Sequence, residues 1–202
     1  MTQSQVVIGT ESWLDENVLD REVFPDNYSC YRKDRNCRGG GVFILVHEII
    51  VSKEILIETE SVENVWCELS LGNDERLAVD AFYRPPGSQP TVLRSLSKIV
   101  STIRCAKIIM GVTLIYLELT GRRIIRTGAG GELYTEFFSL MDLCSFEQHV
   151  LNPKRNDETG PILDLLLSNT SDIISKTQVI PGISDHKVVV ADVNLANTVS
   201  VG

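Results

Sequence analysis

The stretch Phe82-Tyr83-Arg84-Pro85-Pro86-Gly87 separates two regular pieces of the chain. Before it, a mainly apolar run predicts a β-strand over residues 76–83, which the two prolines end because proline removes a backbone donor. After it, apolar side chains at helical spacing predict a helix over residues 91–104, followed by a strand over residues 107–110. A strand–helix–strand unit therefore forms the centre of a mixed α/β fold.

The same reading extends outward in both directions. Gly72-Asn73-Asp74 is a typical hairpin turn and predicts antiparallel pairing of the strands on either side of it. No repeat, low-complexity tract or linker divides the chain, so we expect one domain over residues 1–195 and a tail over residues 196–202. The further predicted strands cover residues 6–8, 42–46, 49–57, 65–71, 162–167, 177–180 and 187–193, and the further helices cover residues 12–20 and 132–144.

Composition excludes several classes of protein. The 202 residues are 43% hydrophobic and carry a formal charge of −8, which excludes a protein that holds nucleic acid by positive charge alone but leaves a metal-dependent nuclease open. Five cysteines without a C-x-x-C pair suggest neither a zinc site nor a disulfide framework. No apolar run approaches the roughly 18 to 20 residues of a membrane span, and the start lacks a basic signal region. We therefore expect the nucleus or the cytoplasm, without secretion or membrane insertion.

Four short segments place polar residues suited to phosphate chemistry at strand ends or in loops. They are Thr10-Glu11-Ser12-Trp13-Leu14, Phe82-Tyr83-Arg84-Pro85-Pro86-Gly87, Leu163-Asp164-Leu165-Leu166-Leu167-Ser168 and Ser184-Asp185-His186-Lys187. In order and text they resemble the endonuclease/exonuclease/phosphatase superfamily, and specifically the apurinic-endonuclease-like domain of non-LTR (LINE-type) retrotransposons. The resemblance implies a DNase I-like, two-layered β-sandwich flanked by helices, an α/β (α+β) fold that hydrolyses DNA phosphodiester bonds.

The resemblance also implies roles for individual residues. Glu11 matches the metal-binding glutamate and Asp185 a second carboxylate near the metal, which would be Mg²⁺ or Mn²⁺ because these ions prefer oxygen ligands. His186 matches the catalytic histidine, Asp164 the aspartate that orients it, and Tyr83 a tyrosine that contacts phosphate. The alternatives from the residues themselves are a solvated acid for Glu11, a surface histidine for His186 and a core tyrosine for Tyr83.

Basic residues are candidates for contacts with the DNA backbone. Arg35 and Arg38 lie in a glycine-rich loop, and Arg84 follows Tyr83. Arg122 and Arg123 directly follow Gly121. Neutralising phosphate charge is the ordinary use of arginine in such proteins. A solvated face without a ligand is the alternative for Arg35, Arg38, Arg122 and Arg123.

Two departures from the family affect the expected site. The resemblance implies a preceding strand with a metal-proximal asparagine and a helix, so we expect this first strand and helix to be missing here. After the strand that ends near Met110 the family has Gly-Asp-Phe-Asn, whereas this chain has Val112 and Leu114 at the aspartate and asparagine positions. Neither side chain accepts a proton or orients water, which predicts impaired hydrolysis.

A shifted reading frame accounts for the second departure. One permitted set of codons for residues 111–121, read from the third base of the first codon, spells Gly-Asp-Phe-Asn-Leu-Pro-Gly-Val-Asp-Trp. This sequence contains the missing motif, followed by the Leu-Pro and Asp-Trp residues that are typical of the family. We therefore hypothesise a frameshifted island between Gly111 and Arg122.

These observations leave three functions open. The first is a retrotransposon-type endonuclease domain that nicks DNA, impaired at Val112 and Leu114, whose partners are DNA and a reverse transcriptase region of a parent polyprotein. The second is a non-catalytic transposon remnant or a weak DNA-binding domain. The third is hydrolysis of phosphate esters of lipids or small molecules, which the same superfamily performs.

Overall fold

The computed structural model describes residues 4–36, 38–59, 61–114, 131–150, 164–181 and 188–194. These ranges contain eleven strands and three helices, which belong to a mixed α/β architecture. In chain order they are β1 (Val6–Thr10), α1 (Asp20–Val23), β2 (Tyr28–Lys33), β3 (Val42–His47), β4 (Ser52–Glu54), β5 (Glu63–Gly72), β6 (Glu75–Arg84), α2 (Thr91–Thr102), β7 (Lys107–Leu114), α3 (Glu132–Leu143), β8 (Glu147–Gln148), β9 (Asp164–Ser168), β10 (Ile174–Ile180) and β11 (Val188–Val193).

The largest sheet has six strands in the order β4-β5-β6-β7-β9-β8. The β5–β6 hairpin turns at Asn73 and Asp74, whose backbone φ angles of 48° and 62° suit the tight turn that the sequence predicts. Strands β6 and β7 are parallel and α2 connects them, so the predicted strand–helix–strand unit is confirmed. The remaining pairs in this sheet are antiparallel.

A second layer consists of a three-stranded antiparallel sheet in the order β1-β3-β2. Its middle strand β3 is almost completely buried, and β1 lies at the edge of this sheet within the described residues. The two layers meet closely at Gly111, where a side-chain Cβ would lie 2.6 Å from Cγ2 of Ile8. Strands β10 and β11 form a separate antiparallel pair.

Helices α2 and α3 cover the other face of the six-stranded sheet. Their apolar sides are buried, with Leu93 and Leu96 of α2 and Phe137 and Leu140 of α3 fully removed from solvent. These side chains share one continuous core with the sheet residues, including Trp66 and other large side chains. The described residues thus form a two-layered β-sandwich flanked by helices, as expected from the sequence.

Three local expectations were wrong. Residues 12–19 are not helical, and α1 begins only at Asp20, because the amides of Ser12 and Trp13 bond to carbonyls of the glycine loop at Gly41 and Gly40 instead of to a helix turn. The strand expected over residues 49–57 is reduced to β4, and β2 lies where no strand was expected.

Among the described residues, no helix is long and apolar enough to cross a membrane.

Candidate active site

Glu11 and Tyr83 meet at one end of the sandwich although 72 residues separate them. Glu11 directly follows β1 and Tyr83 is the penultimate residue of β6, and the Tyr83 hydroxyl donates a hydrogen bond of 2.7 Å to Oε1 of Glu11. Glu11 has a left-handed backbone with φ of 56°, an uncommon and strained conformation for a non-glycine residue. Two residues proposed from separate sequence segments are therefore in direct contact.

The surroundings of Tyr83 keep its hydroxyl protonated. Burial, followed by the hydrogen bond to Glu11 and the negative charges of Glu11 and Glu63, raises the pKa of Tyr83, and the positive charge of Arg35 opposes this effect. Tyr83 is therefore a hydrogen-bond donor at every pH at which the protein is expected to work.

Glu63 is a second carboxylate at this end of the sheet. It is the first residue of β5 and the register partner of Tyr83 in β6. Its Oε1 accepts the Gly41 amide, and its Oε2 lies 3.5 Å from Nη1 of Arg35. The side chains of Arg35, Glu63 and Tyr83, together with residues 85–88, line an open cavity of about 470 Å³.

A chain of three polar side chains lies beside this pair, across β1, β7 and β9. Thr113 donates a hydrogen bond of 2.6 Å to Oδ1 of Asp164, and its oxygen lies 3.0 Å from Oγ1 of Thr10. Because a threonine hydroxyl has one proton, Thr10 is the donor in the second bond. Asp164 is thus held at the start of β9, where the sequence expects the aspartate that orients His186.

Val112 lies on the opposite face of β7 from this chain. Gly111 faces Ile8 of β1 and Thr113 faces Thr10, so strand alternation turns the Val112 side chain toward the helices, where it is 2% exposed. Thr113, not Val112, therefore stands at the candidate site in β7. Leu114 ends the strand, and its side chain lies outside the described part of the structure.

The structure separates the basic candidates into different environments. Arg35 and Arg38 are exposed in the glycine-rich loop, as a phosphate contact requires. Arg84 is only 5% exposed and donates to the Ser88 carbonyl oxygen, so it supports the turn after β6 and presents no charge at the surface. Arg122 and Arg123 lie outside the described residues.

Comparison by sequence finds no matching family model and no matching curated protein. Solved structures do match, although at low identity. The endonuclease domain of TRAS1, a telomere-specific non-LTR retrotransposon, superposes with a TM-score of 0.64 and 11% identity over 86% of this chain and 83% of that chain. The 3′–5′ exonuclease NExo of Neisseria meningitidis gives a TM-score of 0.66 and 13% identity over 94% and 89%.

The chain has a DNase I-like fold. A truncated TDP2 of Caenorhabditis elegans also matches, with a TM-score of 0.54 and 12% identity over 92% of this chain and 82% of that chain. At these identities the matches show the fold alone, which confirms the architecture that the sequence predicts and assigns the fold of the endonuclease/exonuclease/phosphatase superfamily.

The described part of this DNase I-like domain offers a suitable but incomplete donor set for a divalent metal. No group of three or more His, Cys, Asp or Glu side chains that could hold a metal occurs among the described residues. Glu11 nevertheless supplies a carboxylate oxygen, and Mg²⁺ commonly binds proteins through one or two carboxylates while keeping several waters. His186 and Asp185, the other expected members of the site, lie outside the described residues.

Sequence reasoning missed three residues of the site. Glu63 is found by counting back from the Asn73–Asp74 turn, but only if the register shift between Ser70 and Gly72 is known. Thr10 and Thr113 lie within motif segments but were given no role there, and only the packing of β1 against β7 places their hydroxyls together. The sequence did not indicate that these residues belong to the site, because tertiary contacts and not local spacing bring them together.

Proposed function

We propose that this chain is a DNA endonuclease domain of the non-LTR retrotransposon type whose hydrolytic activity is impaired. The observation that carries the proposal is the hydrogen bond between Tyr83 and Glu11, which joins two residues that the family resemblance selects from distant segments. The DNase I-like fold supports the same reading, and the TRAS1 endonuclease domain is one protein with that fold.

The described residues suggest how a phosphodiester would be handled. Glu11 and Glu63 make this end of the sandwich negative, so an anionic phosphate needs a positive charge beside it. Glu11, with Asp185 as a further carboxylate, would hold Mg²⁺ or Mn²⁺, which neutralises charge that develops on the phosphate during attack by water. Tyr83, kept protonated by its surroundings, would turn its single hydroxyl proton from Glu11 to a phosphate oxygen when Glu11 holds the metal.

The remaining roles concern the proton and the DNA backbone. Asp164 would orient His186 so that its imidazole faces the scissile phosphate. Arg35 and Arg38, which are exposed on the glycine-rich loop, would contact phosphates on either side of the cleaved bond. Impairment follows from β7, because Val112 and Leu114 replace the aspartate and asparagine of the family motif and the strand presents only the neutral Thr113 hydroxyl at the site.

Nicking of supercoiled plasmid tests the proposal. We expect slow conversion to the open circular form with Mg²⁺ or Mn²⁺, no conversion with EDTA, and loss of conversion in Glu11→Gln and His186→Ala. Glu11→Gln is a matched change because the amide oxygen still accepts the Tyr83 hydrogen bond. Nicking that persists in both variants would show that the activity belongs to another protein.

A second candidate is a DNA-binding remnant without catalysis. The observation that favours it is the hydroxyl of Thr113 at the β7 position, because a neutral hydroxyl is a poor base. Retention of DNA that weakens steeply with salt, in the absence of any metal-dependent nicking, would select this candidate.

The frameshift hypothesis has a direct test in the nucleotide sequence. Codons that contain the shifted Gly-Asp-Phe-Asn frame across residues 111–121 would support it, and different codons at Val112 to Leu114 would remove it.

A further inference from the structure

Trp13 is a large aromatic side chain exposed beside the candidate active site. It is 57% exposed, whereas the other tryptophan, Trp66, is 1% exposed in the core. The described phenylalanine and tyrosine residues are buried or half-buried, so Trp13 is the exposed aromatic of the described ranges. An indole ring left in water, two residues after Glu11, contributes little to the core and is available to a ligand.

The backbone holds Trp13 in this position. Its amide donates to the Gly40 carbonyl at 3.0 Å, and the preceding Ser12 amide donates to the Gly41 carbonyl at 3.3 Å. Trp13 has a φ of 58°, so it occupies the left-handed region as Glu11 does. Both Glu11 and Trp13 adopt this unfavourable conformation, and the glycine loop bonds to the amides of Ser12 and Trp13, which fixes the backbone of Trp13 two residues after Glu11.

The charges near Trp13 differ in their availability. Arg35 packs over Gly40, the residue that anchors Trp13, and its guanidinium and that of Arg38 are exposed. The acids that follow Trp13 are partly engaged, because Asp15 accepts from Asn17 and Asp20 pairs with Arg32 at 3.0 Å. The exposed groups beside the glycine loop are therefore the Trp13 ring and two guanidinium groups, of which that of Arg35 also lies 3.5 Å from Oε2 of Glu63.

We propose that Trp13 stacks on an unpaired nucleobase, so that the domain prefers single-stranded or locally unpaired DNA at the Glu11–Tyr83 pair. Aromatic faces beside cationic groups are how proteins hold unpaired bases without reading their sequence. The inference rests on the proposed function only in placing DNA at this pair. It adds a substrate preference that follows from the exposed ring.

The overall charge of the chain strengthens the case for stacking. With a net charge of −8, contacts to phosphates alone hold DNA weakly. Stacking of a base on an indole does not require positive charge, so it supplies affinity that this acidic chain otherwise lacks. The dependence of binding on salt should accordingly come from Arg35 and Arg38 and not from Trp13.

Fluorescence and binding of the full chain test the inference in EDTA, where no cleavage is needed. The probes are an unstructured oligothymidylate and a blunt hairpin duplex with the same number of phosphates. We expect oligothymidylate to quench the emission of the wild type and not that of Trp13→Phe, in which only Trp66 emits. Trp13→Ala should bind oligothymidylate about tenfold more weakly, bind the hairpin within about twofold of the wild type, and keep the salt slope.

Matched variants separate stacking from a change in folding. Trp13→Tyr retains an aromatic face and should bind oligothymidylate within about threefold of the wild type. Leu19→Ala removes another exposed apolar side chain of the same segment and should bind as the wild type does.

The inference is overturned by any of four results. They are no binding of oligothymidylate by the wild type, equal quenching of Trp13→Phe, equal weakening of both probes in Trp13→Ala, or self-association of the wild type that Trp13→Ala abolishes, since Trp13 would then be a protein contact. Failure of the proposed function looks different. If the wild type binds oligothymidylate through Trp13 but never nicks plasmid, the endonuclease proposal is wrong and the stacking proposal stands.

Discussion

The two faces of the six-stranded sheet differ in whether their polar side chains have hydrogen-bond partners. On the face toward the three-stranded sheet, Tyr83, Thr113 and Asp164 are joined to partners by short hydrogen bonds at the end of the sandwich. On the face toward the helices, Asp80 of β6 is 0% exposed, and within the described residues neither of its carboxylate oxygens has a hydrogen-bond partner.

The difference between the two faces shows on which of them a charged side chain is tolerated. The first face ends beside an open cavity that Tyr83 and Glu63 line, and its polar groups bond to one another. The second face is sealed by α2 and α3, and a charge on it is paid for in desolvation. Side chains alternate along β7, so each residue of this strand faces either the candidate site or the helix-covered core.

Val112→Asp should give the largest effect. It places a carboxylate on the helix-covered face, and we expect the free energy of unfolding to fall by about 3 to 5 kcal/mol in urea denaturation. No gain in plasmid nicking should accompany it, because the side chain points away from the site.

Val112→Thr is the control for this change, since it keeps the volume and adds one hydroxyl; it should cost only about 1 to 2 kcal/mol. A stable Val112→Asp chain with increased nicking would show that β7 has the other face toward the site.

Tyr83→Phe tests the face that carries the site. Losing the hydroxyl should slow metal-dependent nicking by about tenfold and lower the free energy of unfolding by about 1 to 2 kcal/mol, because Glu11 loses a donor. The matched control is Tyr31→Phe, whose hydroxyl donates to Ser52 at 2.8 Å away from the site. It should lose similar stability and no activity, and an equal loss of nicking in both variants would reduce Tyr83 to a structural role.

Asp80→Asn tests the helix-covered face through pH. Burial raises the pKa of Asp80 well above its ordinary value, and the nearby Asn64 amide lowers it. The neutral carboxyl is thus the form that suits the folded state, and its contribution to stability is full below the unfolded pKa and lost as pH rises through the folded pKa. The wild type should therefore lose stability relative to Asp80→Asn between pH 5 and pH 8, by about 1 to 2 kcal/mol.

Urea denaturation at both pH values measures this difference. Asp26→Asn, at an exposed turn position, should leave the pH dependence unchanged. If Asp80→Asn followed the wild type at both pH values, Asp80 would have to be solvated or paired in the folded protein.

Thr113→Val should give the smallest effect. It keeps the shape of the side chain but removes the hydroxyl that links Thr10 to Asp164, and a loss of about 1 kcal/mol in the free energy of unfolding is expected. The control Thr177→Val removes a hydroxyl that donates to the His149 carbonyl. Impaired nicking in Thr113→Val and not in Thr177→Val would connect the Thr113–Asp164 bond to the site.

Much of the fold was predictable because its elements carry strong local patterns. The turn at Asn73–Asp74, the apolar spacing of α2 and the buried run of β3 each appear in the sequence without help from distant residues. The segment after Glu11 was mispredicted as a helix for the opposite reason. Its apolar spacing is helical, but hydrogen bonds to Gly40 and Gly41, almost thirty residues away, determine its conformation.

The candidate site likewise contains residues that local motifs predicted and contacts that only distant packing determines. Glu11, Tyr83 and Asp164 were found from motifs, and the structure places the first two in contact, whereas Asp164 has Thr113 as its observed partner. The roles assigned to these residues, and those of His186 and Asp185, stay predictions. Arg84, which the sequence also selected for DNA contact, is 5% exposed and donates to the Ser88 carbonyl oxygen, and its role toward DNA stays a prediction.

The sequence by itself determined most of the strands and helices, the mixed α/β class and the residue types at the end of β1 and β6, because turn chemistry and apolar periodicity act over short distances. The two-layered architecture was expected from the family resemblance. Only the tertiary structure decided that Thr113 rather than Val112 faces the site, that Glu63 joins it and that Trp13 stands outside the core. These outcomes depend on how two sheets and two helices pack, and packing between distant segments has no local signature in the chain.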